Sequence, residues 1–185
     1  MARKKPTIRE ICHISVFKAA IAVCAQVSIA MPYGVPLTLQ TFAIALAGVV
    51  LGKKNGVYAT LVYVLLGAVG APVFTGLTGG LGVVFGIAGG FVLSFPLLAL
   101  AAGIGGGKNK AWLFFWLLIG TAVNFFCGML MFCFVTSGSL MLAFTSVVLP
   151  FLPTESLKIL MVVATGKWLK QRLAKSGIYI SSPST

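Results

Sequence analysis

Two side chains of opposite charge, Glu155 and Lys158, lie three residues apart near the start of the last apolar stretch. On a helix, residues i and i+3 share a face, so both charges can contact one bound molecule, such as one with a carboxylate and amide-like N–H groups. The structural alternative is that Thr154 caps the helix, Glu155 complements its dipole and Lys158 pairs with Glu155. Placing a lysine at the centre of a membrane costs about 2.5–3.5 kcal/mol. This cost favours the interpretation in which the pair binds a ligand over the purely structural one.

Further polar and aromatic side chains can complete a pocket around this pair. Asn124 lies midway along the fifth predicted helix, where an amide either bonds a neighbouring helix or contacts a ligand. The polar residues at the start of the second predicted helix are Thr38, Gln40 and Thr41. Small-molecule sites usually have apolar walls. The aromatic residues expected in that role are Tyr33, Phe74 and Phe85.

A glycine-rich stretch covers residues 70–90. Glycine permits positive φ angles and a close approach of the backbone to a ligand, so this stretch is expected to shape the pocket. The glycines that we expect at the ligand are Gly79, Gly80 and Gly90. Four-residue spacing is also typical of contacts between helices. For Gly86 and Gly90 such packing is an equal alternative.

The sequence lacks the residues that an enzyme would need. It has one histidine and two acidic residues, whereas general acid–base catalysis needs several such groups close together. Nucleophile-elbow, zinc-protease and P-loop motifs do not occur. The four cysteines form no C-x-x-C pair, so no metal site is expected. We therefore predict no catalytic residue, no metal ligand and no cofactor, and energy for uphill transport must come from an ion gradient or another protein.

The elements that position these residues are predicted to be membrane helices. Of 185 residues, 59% are hydrophobic and 9% are charged, whereas soluble domains carry far more charge. Because each crossing takes roughly 20 apolar residues, an all-α bundle of six transmembrane helices would use nearly the whole chain as a single domain, residues 1–185. The predicted helices are 11–31, 38–52, 56–71, 86–104, 111–135 and 153–174, with room for a short helix between the last two.

The basic residues predict the orientation of this bundle. A formal net charge of +12 would indicate nucleic acid binding in a soluble protein. Here all bases except Lys18 and Lys158 lie before the first predicted helix, after the second and fourth, or at the end of the sixth. By the positive-inside rule, both short tails, about 1–10 and 175–185, are predicted to be cytoplasmic. The bases then face the anionic surface of the lipid bilayer, and no nucleic acid partner is expected.

These segments together resemble a known family. The sequence is similar to the biotin-specific S components of energy-coupling-factor (ECF) vitamin transporters, the BioY family, from about residue 16 to residue 175. The segments that carry the resemblance are 35–41 (VPLTLQT), 66–74 with its glycine-rich continuation, and 150–153 (PFLP) followed by Glu155 and Lys158. The family usually has Asp where this chain has Glu155, which puts the fine geometry of the pocket in question.

The resemblance implies a six-helix fold with a biotin pocket near the outer surface, closed by the loops after the first and third helices. It implies a multi-pass protein of the bacterial plasma membrane whose partners are a membrane coupling subunit (the T component) and two ABC-type ATPases. It also implies docking to the T component through small residues on the first helix. The matching positions are Ser15, Ala19 and Ala22.

Our hypothesis is that Lys158 and Glu155 hold the polar ends of biotin, with Gln40, Thr41 and the glycine-rich stretch shaping the cavity. Biotin is then a transported ligand and not a cofactor. Three alternatives remain: an S component for another small carboxylated vitamin, a self-sufficient ion-coupled carrier or channel, and a membrane-embedded enzyme. A competition panel of vitamins tests the first alternative, and uptake without any ATPase partner tests the second. Product formation by the purified protein tests the third.

Overall fold

The computed structural model of the protein describes residues 8–31 and 34–175, and it is almost entirely helical. The helices are α1 Ile8–Gln26, α2 Gln40–Ala68, α3 Leu81–Val84, α4 Gly89–Gly105, α5 Lys110–Thr136, α6 Leu140–Val147 and α7 Leu152–Lys175. Two short antiparallel strands, β1 Ser28–Ile29 and β2 Leu37–Thr38, link α1 to α2. Single 3₁₀ turns occupy Thr75–Leu77 and Leu149–Phe151.

The long helix α2 consists of two arms that fold back on each other. Gly52 has a φ of 79° and a ψ of 172°, which only glycine adopts readily, and it breaks the helix. The Gln40 side chain donates to the Tyr63 hydroxyl at 2.6 Å, although in a straight helix residues this far apart would be separated by about 34 Å. The arms 40–51 and 53–68 correspond to the separate second and third helices predicted from the sequence, so six helical segments form the bundle.

The predicted helix 11–31 extends too far. Helix α1 ends at Gln26, because Ser28 and Ile29 leave the helix and pair with Thr38 and Leu37. The predicted start of the fourth helix, residue 86, is also early. Residues 81–84 form a separate turn, and α4 begins only at Gly89. Both differences arise where the chain closes over one end of the bundle, so they depend on contacts between distant segments.

The outer surface of the bundle is apolar. Within the described part of the chain, three helical stretches are long and apolar enough to cross a membrane, although Gly52 divides the first of them: Gln40–Ala68, Lys110–Thr136 and Leu140–Lys175. Two further apolar helices are shorter: Ile11–Gln26 and Gly89–Gly105. Large apolar side chains such as Phe134, which is 83% exposed, point outward. This surface suits lipid and not water.

Close contacts at glycines set the helix packing and identify one end of the bundle. A side chain at Gly48 would collide with the backbone oxygen of Ala99, so α2 and α4 touch directly. Val49 lies beside both Gly106 and Gly166, which places the Gly52 turn and the C-terminal parts of α4 and α7 at the same end. We call it the basic end, after its residues Lys53, Lys54, Lys108, Lys110, Lys167, Lys170, Arg172 and Lys175.

Candidate functional site

A cavity of about 510 Å³ lies at the end opposite the basic end. The first arm of α2 and helices α4, α5 and α7 form its sides, and residues 34–38 and 74–88 contribute to its cover. Most lining side chains are apolar, with a few polar groups among them, as is typical of a small-molecule site. The polar side chains belong to Thr38, Gln40, Thr41, Thr75, Thr78, Asn124, Glu155 and Lys158.

The charged pair lies at this cavity, in the first turns of α7. Glu155 and Lys158 are only 7% and 5% exposed, and Lys158 Nζ lies 2.6 Å from Glu155 Oε1. The expectation that Thr154 caps α7 is wrong, because the helix already begins at Leu152 and the Thr154 hydroxyl donates to the backbone oxygen of Phe151 at 2.9 Å. Two charges buried in an apolar bundle must be paired, and these two are.

Thr41, in the first turn of α2, hydrogen-bonds directly to this pair. Its hydroxyl donates to Glu155 Oε1 at 2.8 Å and accepts from Lys158 Nζ at 3.1 Å. We call Thr41, Glu155 and Lys158 the charged cluster. Both bonds to the carboxylate end on Oε1, so within the described residues Oε2 makes none, and one of the three ammonium hydrogens is unused. The cluster therefore offers an acceptor and a donor side by side.

A second network holds Gln40 beside the cluster. The Gln40 amide donates to the Tyr63 hydroxyl, which donates in turn to the backbone oxygen of Val73 at 2.8 Å. The ring of Tyr63 meets that of Phe74 edge-on, with 5.6 Å between the centroids. Phe74 lines the cavity and is 2% exposed. Tyr63 was missed from the sequence, although a tyrosine inside an apolar helix needs a partner for its hydroxyl.

Asn124 lies in the middle of α5, where it makes the expected interhelical hydrogen bonds and borders the cavity. Its amide nitrogen donates to the backbone oxygen of Phe91 at 3.0 Å and to the Ser94 hydroxyl at 2.7 Å, so it ties α5 to α4. It also lines the cavity. Since both amide hydrogens are used, its side-chain oxygen remains as an acceptor for a bound molecule.

The predicted glycine and aromatic contacts are only partly at the cavity. Gly82 and Gly86 line it, whereas Gly79, Gly80, Phe85 and Gly90 do not. Gly79 approaches the backbone of Ala71, and Gly80, with a φ of 99°, donates to the backbone oxygen of Gly67 at 2.6 Å. These two glycines therefore shape the loop that covers the cavity.

Gly90 and Phe85 lie elsewhere. A side chain at Gly90 would collide with the backbone oxygen of Cys127 on α5, in agreement with the packing alternative. Phe85 is 63% exposed. Tyr33 lies outside the described residues. Lining residues that were not singled out from the sequence include Val135 and Phe151, which reach the cavity from the far end of α5 and from the turn before α7.

The predicted docking residues lie on α1. Ser15 and Ala19 are exposed, and Ala22 is half-buried. They are separate from the cavity, whose described lining contains no residue of α1. Their role in docking stays a prediction.

An apolar helical bundle with a largely apolar cavity at one end, lined also by a few buried polar groups, defines a solute-binding membrane protein. The BioY family model matches residues 1–175, and the chain belongs to the BioY family. This membership confirms the prediction of a transport family and not an enzyme family.

Three relatives illustrate the similarity. The biotin transporter BioY2 of Lactococcus lactis is 35% identical over 173 residues, which cover 91% of this chain and 94% of that protein. The biotin transporter BioY of Thermotoga maritima is 43% identical over 60% of this chain and 64% of its own. The probable biotin transporter BioY of Pyrococcus horikoshii is 43% identical over 55% of this chain and 62% of its own. The matched region thus spans less than two thirds of the last two relatives.

A crystal structure of the S component for biotin from an ECF-type ABC transporter has the same fold. The superposition has a TM-score of 0.82 at 23% identity and covers 92% of this chain and 95% of that one. The predicted S-component fold is therefore confirmed.

Proposed function

We propose that this chain is the biotin-binding S component of an ECF-type uptake system in the bacterial cell membrane. The proposal rests on the charged cluster. Its two buried charges cancel, and it presents one hydrogen-bond acceptor and one donor to an otherwise apolar cavity. Membership of a family whose named members are biotin transporters supports biotin as the ligand.

The cluster suits the ureido ring of biotin better than its carboxylate. Lys158 is already neutralised by Glu155, and a second carboxylate beside Glu155 would be repelled. A ureido group is uncharged and offers two N–H donors and one carbonyl acceptor. In our proposal its N–H groups donate to Glu155 Oε2 and to the side-chain oxygen of Asn124, and its carbonyl accepts from Lys158. The charge balance of the buried cluster is then kept.

The rest of biotin would lie along the apolar lining. Phe91, Phe95 and Phe125 line the cavity and are at most 9% exposed, which suits the sulfur-containing ring and the aliphatic chain. Thr75 and Thr78 in the covering loop would lie near the carboxylate. Gln40 and Thr41 would act mainly by fixing the charged cluster.

The energy for transport would come from the partners, a T component and two ABC-type ATPases. The sequence contains no P-loop of its own. The exposed face of α1 with Ser15 and Ala19, together with Ala22, is our proposed docking surface. We place both termini in the cytoplasm, because the basic end gathers seven lysines and Arg172 away from the cavity.

Direct binding of labelled biotin to the purified protein tests the proposal. We expect saturable binding that unlabelled biotin displaces and that other carboxylated vitamins do not. Displacement by another vitamin in preference to biotin would identify a different S component. Biotin uptake into vesicles that contain this chain without any ATPase would instead support the self-sufficient carrier.

A further inference from the structure

The covering loop, residues 71–80, is held on its outer side by one side chain of α1. The Gln26 amide nitrogen donates to the backbone oxygen of Phe74 at 3.0 Å, and its oxygen accepts from the backbone N–H of Leu77 at 2.9 Å. The same nitrogen donates to the backbone oxygen of Ala22 at 3.1 Å, which fixes the side chain against its own helix. A single residue thus pairs with both a donor and an acceptor of the loop.

The loop depends on this outside support. Its own bridge, from the N–H of Phe74 to the oxygen of Thr78 at 3.0 Å, leaves the Phe74 oxygen and the Leu77 N–H for other partners. Leu77 has a φ of 55°, a left-handed conformation that is uncommon for a residue with a side chain. Without Gln26, these two backbone groups would lose their protein partner and the loop would be freer to leave this conformation.

The loop contributes directly to the wall of the cavity through Phe74. This ring lines the cavity, fills the space beside Gly67 and contacts Tyr63. Gln26 itself does not line the cavity, so it acts on a bound molecule only through the loop. Since α1 packs on α2 and on this loop, Gln26 also connects the proposed docking helix to the cavity cover.

We infer that Gln26 is a positioning residue that holds the 71–80 loop closed over the cavity and thereby sets the rates of ligand entry and release. The identity of the ligand as biotin rests on the proposed function. A gate that opens more often admits and releases ligand faster, whereas the loss of a ligand contact raises only the release rate.

The experiment measures association and dissociation rates of labelled biotin with purified Gln26→Met, which keeps the length of the side chain and removes both hydrogen bonds to the loop. We expect dissociation to accelerate about tenfold and association to accelerate as well, since two hydrogen bonds are lost. Gln26→Glu keeps the acceptor for the Leu77 N–H and should fall between Gln26→Met and the unmodified protein. The matched control is Gln171→Met, an exposed glutamine near the end of α7, which should leave both rates unchanged.

Hydrogen exchange of the Leu77 amide provides a readout that does not need biotin. We expect faster exchange in Gln26→Met than in the unmodified protein and in Gln171→Met. Unchanged association and exchange in a folded Gln26→Met protein would overturn the inference, even if dissociation rose. A wild-type protein that fails to bind biotin would refute the proposed function, and the exchange measurement would still decide the role of Gln26.

Discussion

The two sides of the cavity are built differently. On one side, the charged cluster of Thr41, Glu155 and Lys158 stands on the first turns of two helices and is paired by short charge-assisted bonds. On the other, the loop with Phe74 is held by neutral hydrogen bonds that it makes with Tyr63 and Gln26. We therefore propose that the helix side provides affinity and the loop side provides access.

The largest effect should come from breaking the helix side with Lys158→Ala. It leaves the Glu155 carboxylate buried without its partner, which costs about 3–5 kcal/mol. We expect a lower unfolding temperature in detergent and loss of biotin binding. Lys53→Ala is the matched control, because Lys53 is exposed at the basic end. Equal stability of the two variants would argue against the buried pair.

On the loop side, Phe74→Ala should destabilise the protein by about 3 kcal/mol. The ring is 2% exposed, so its removal opens a hole next to Gly67 and Tyr63. Phe134→Ala serves as the control, since that ring is 83% exposed. Thermal unfolding of both variants checks the prediction, and a similar small change in the two would contradict it.

Tyr63→Phe tests the link between the two sides. It removes the acceptor of the Gln40 amide and the donor to Val73, with an expected loss of about 1–3 kcal/mol in stability. Tyr58→Phe, at a position that is 47% exposed, should be neutral. If unfolding of Tyr63→Phe matches the wild type, the two sides are not coupled through this hydroxyl.

The smallest effect is expected from Glu155→Asp. The shorter side chain keeps its charge beside Lys158 but cannot reach both Lys158 and Thr41 equally well, so we expect the loss of about one hydrogen bond, or roughly fivefold in affinity for biotin. Titration with labelled biotin measures this change. An affinity loss as large as that of Lys158→Ala would mean that the length of Glu155 is essential.

The features that could be predicted from the sequence are local. The turn at Gly52, the short helix before α7 and the shared face of Glu155 and Lys158 follow from residue types within a few positions of each other. Tyr63 and Gln26 were missed as part of the site because their partners lie far along the chain, 23 residues from Tyr63 to Gln40 and 51 from Gln26 to Leu77.

The glycines illustrate the same limit. Positive φ and close packing both favour glycine, so the sequence could not decide between a ligand contact, a loop conformation and helix packing. The structure assigns Gly80 a φ of 99° in the covering loop and places Gly90 against α5. Distinguishing these roles requires the position of the neighbouring helix, and no local sequence pattern gives that position.

The most direct test of the central claim is biotin binding by the double variant Glu155→Gln, Lys158→Met. It replaces both charges with uncharged side chains of similar size, so no charge stays buried alone and the fold should be kept. We predict a protein that unfolds at nearly the wild-type temperature and binds labelled biotin at least about 100-fold more weakly, the equivalent of two charge-assisted hydrogen bonds. A folded double variant that binds biotin with wild-type affinity would contradict the account.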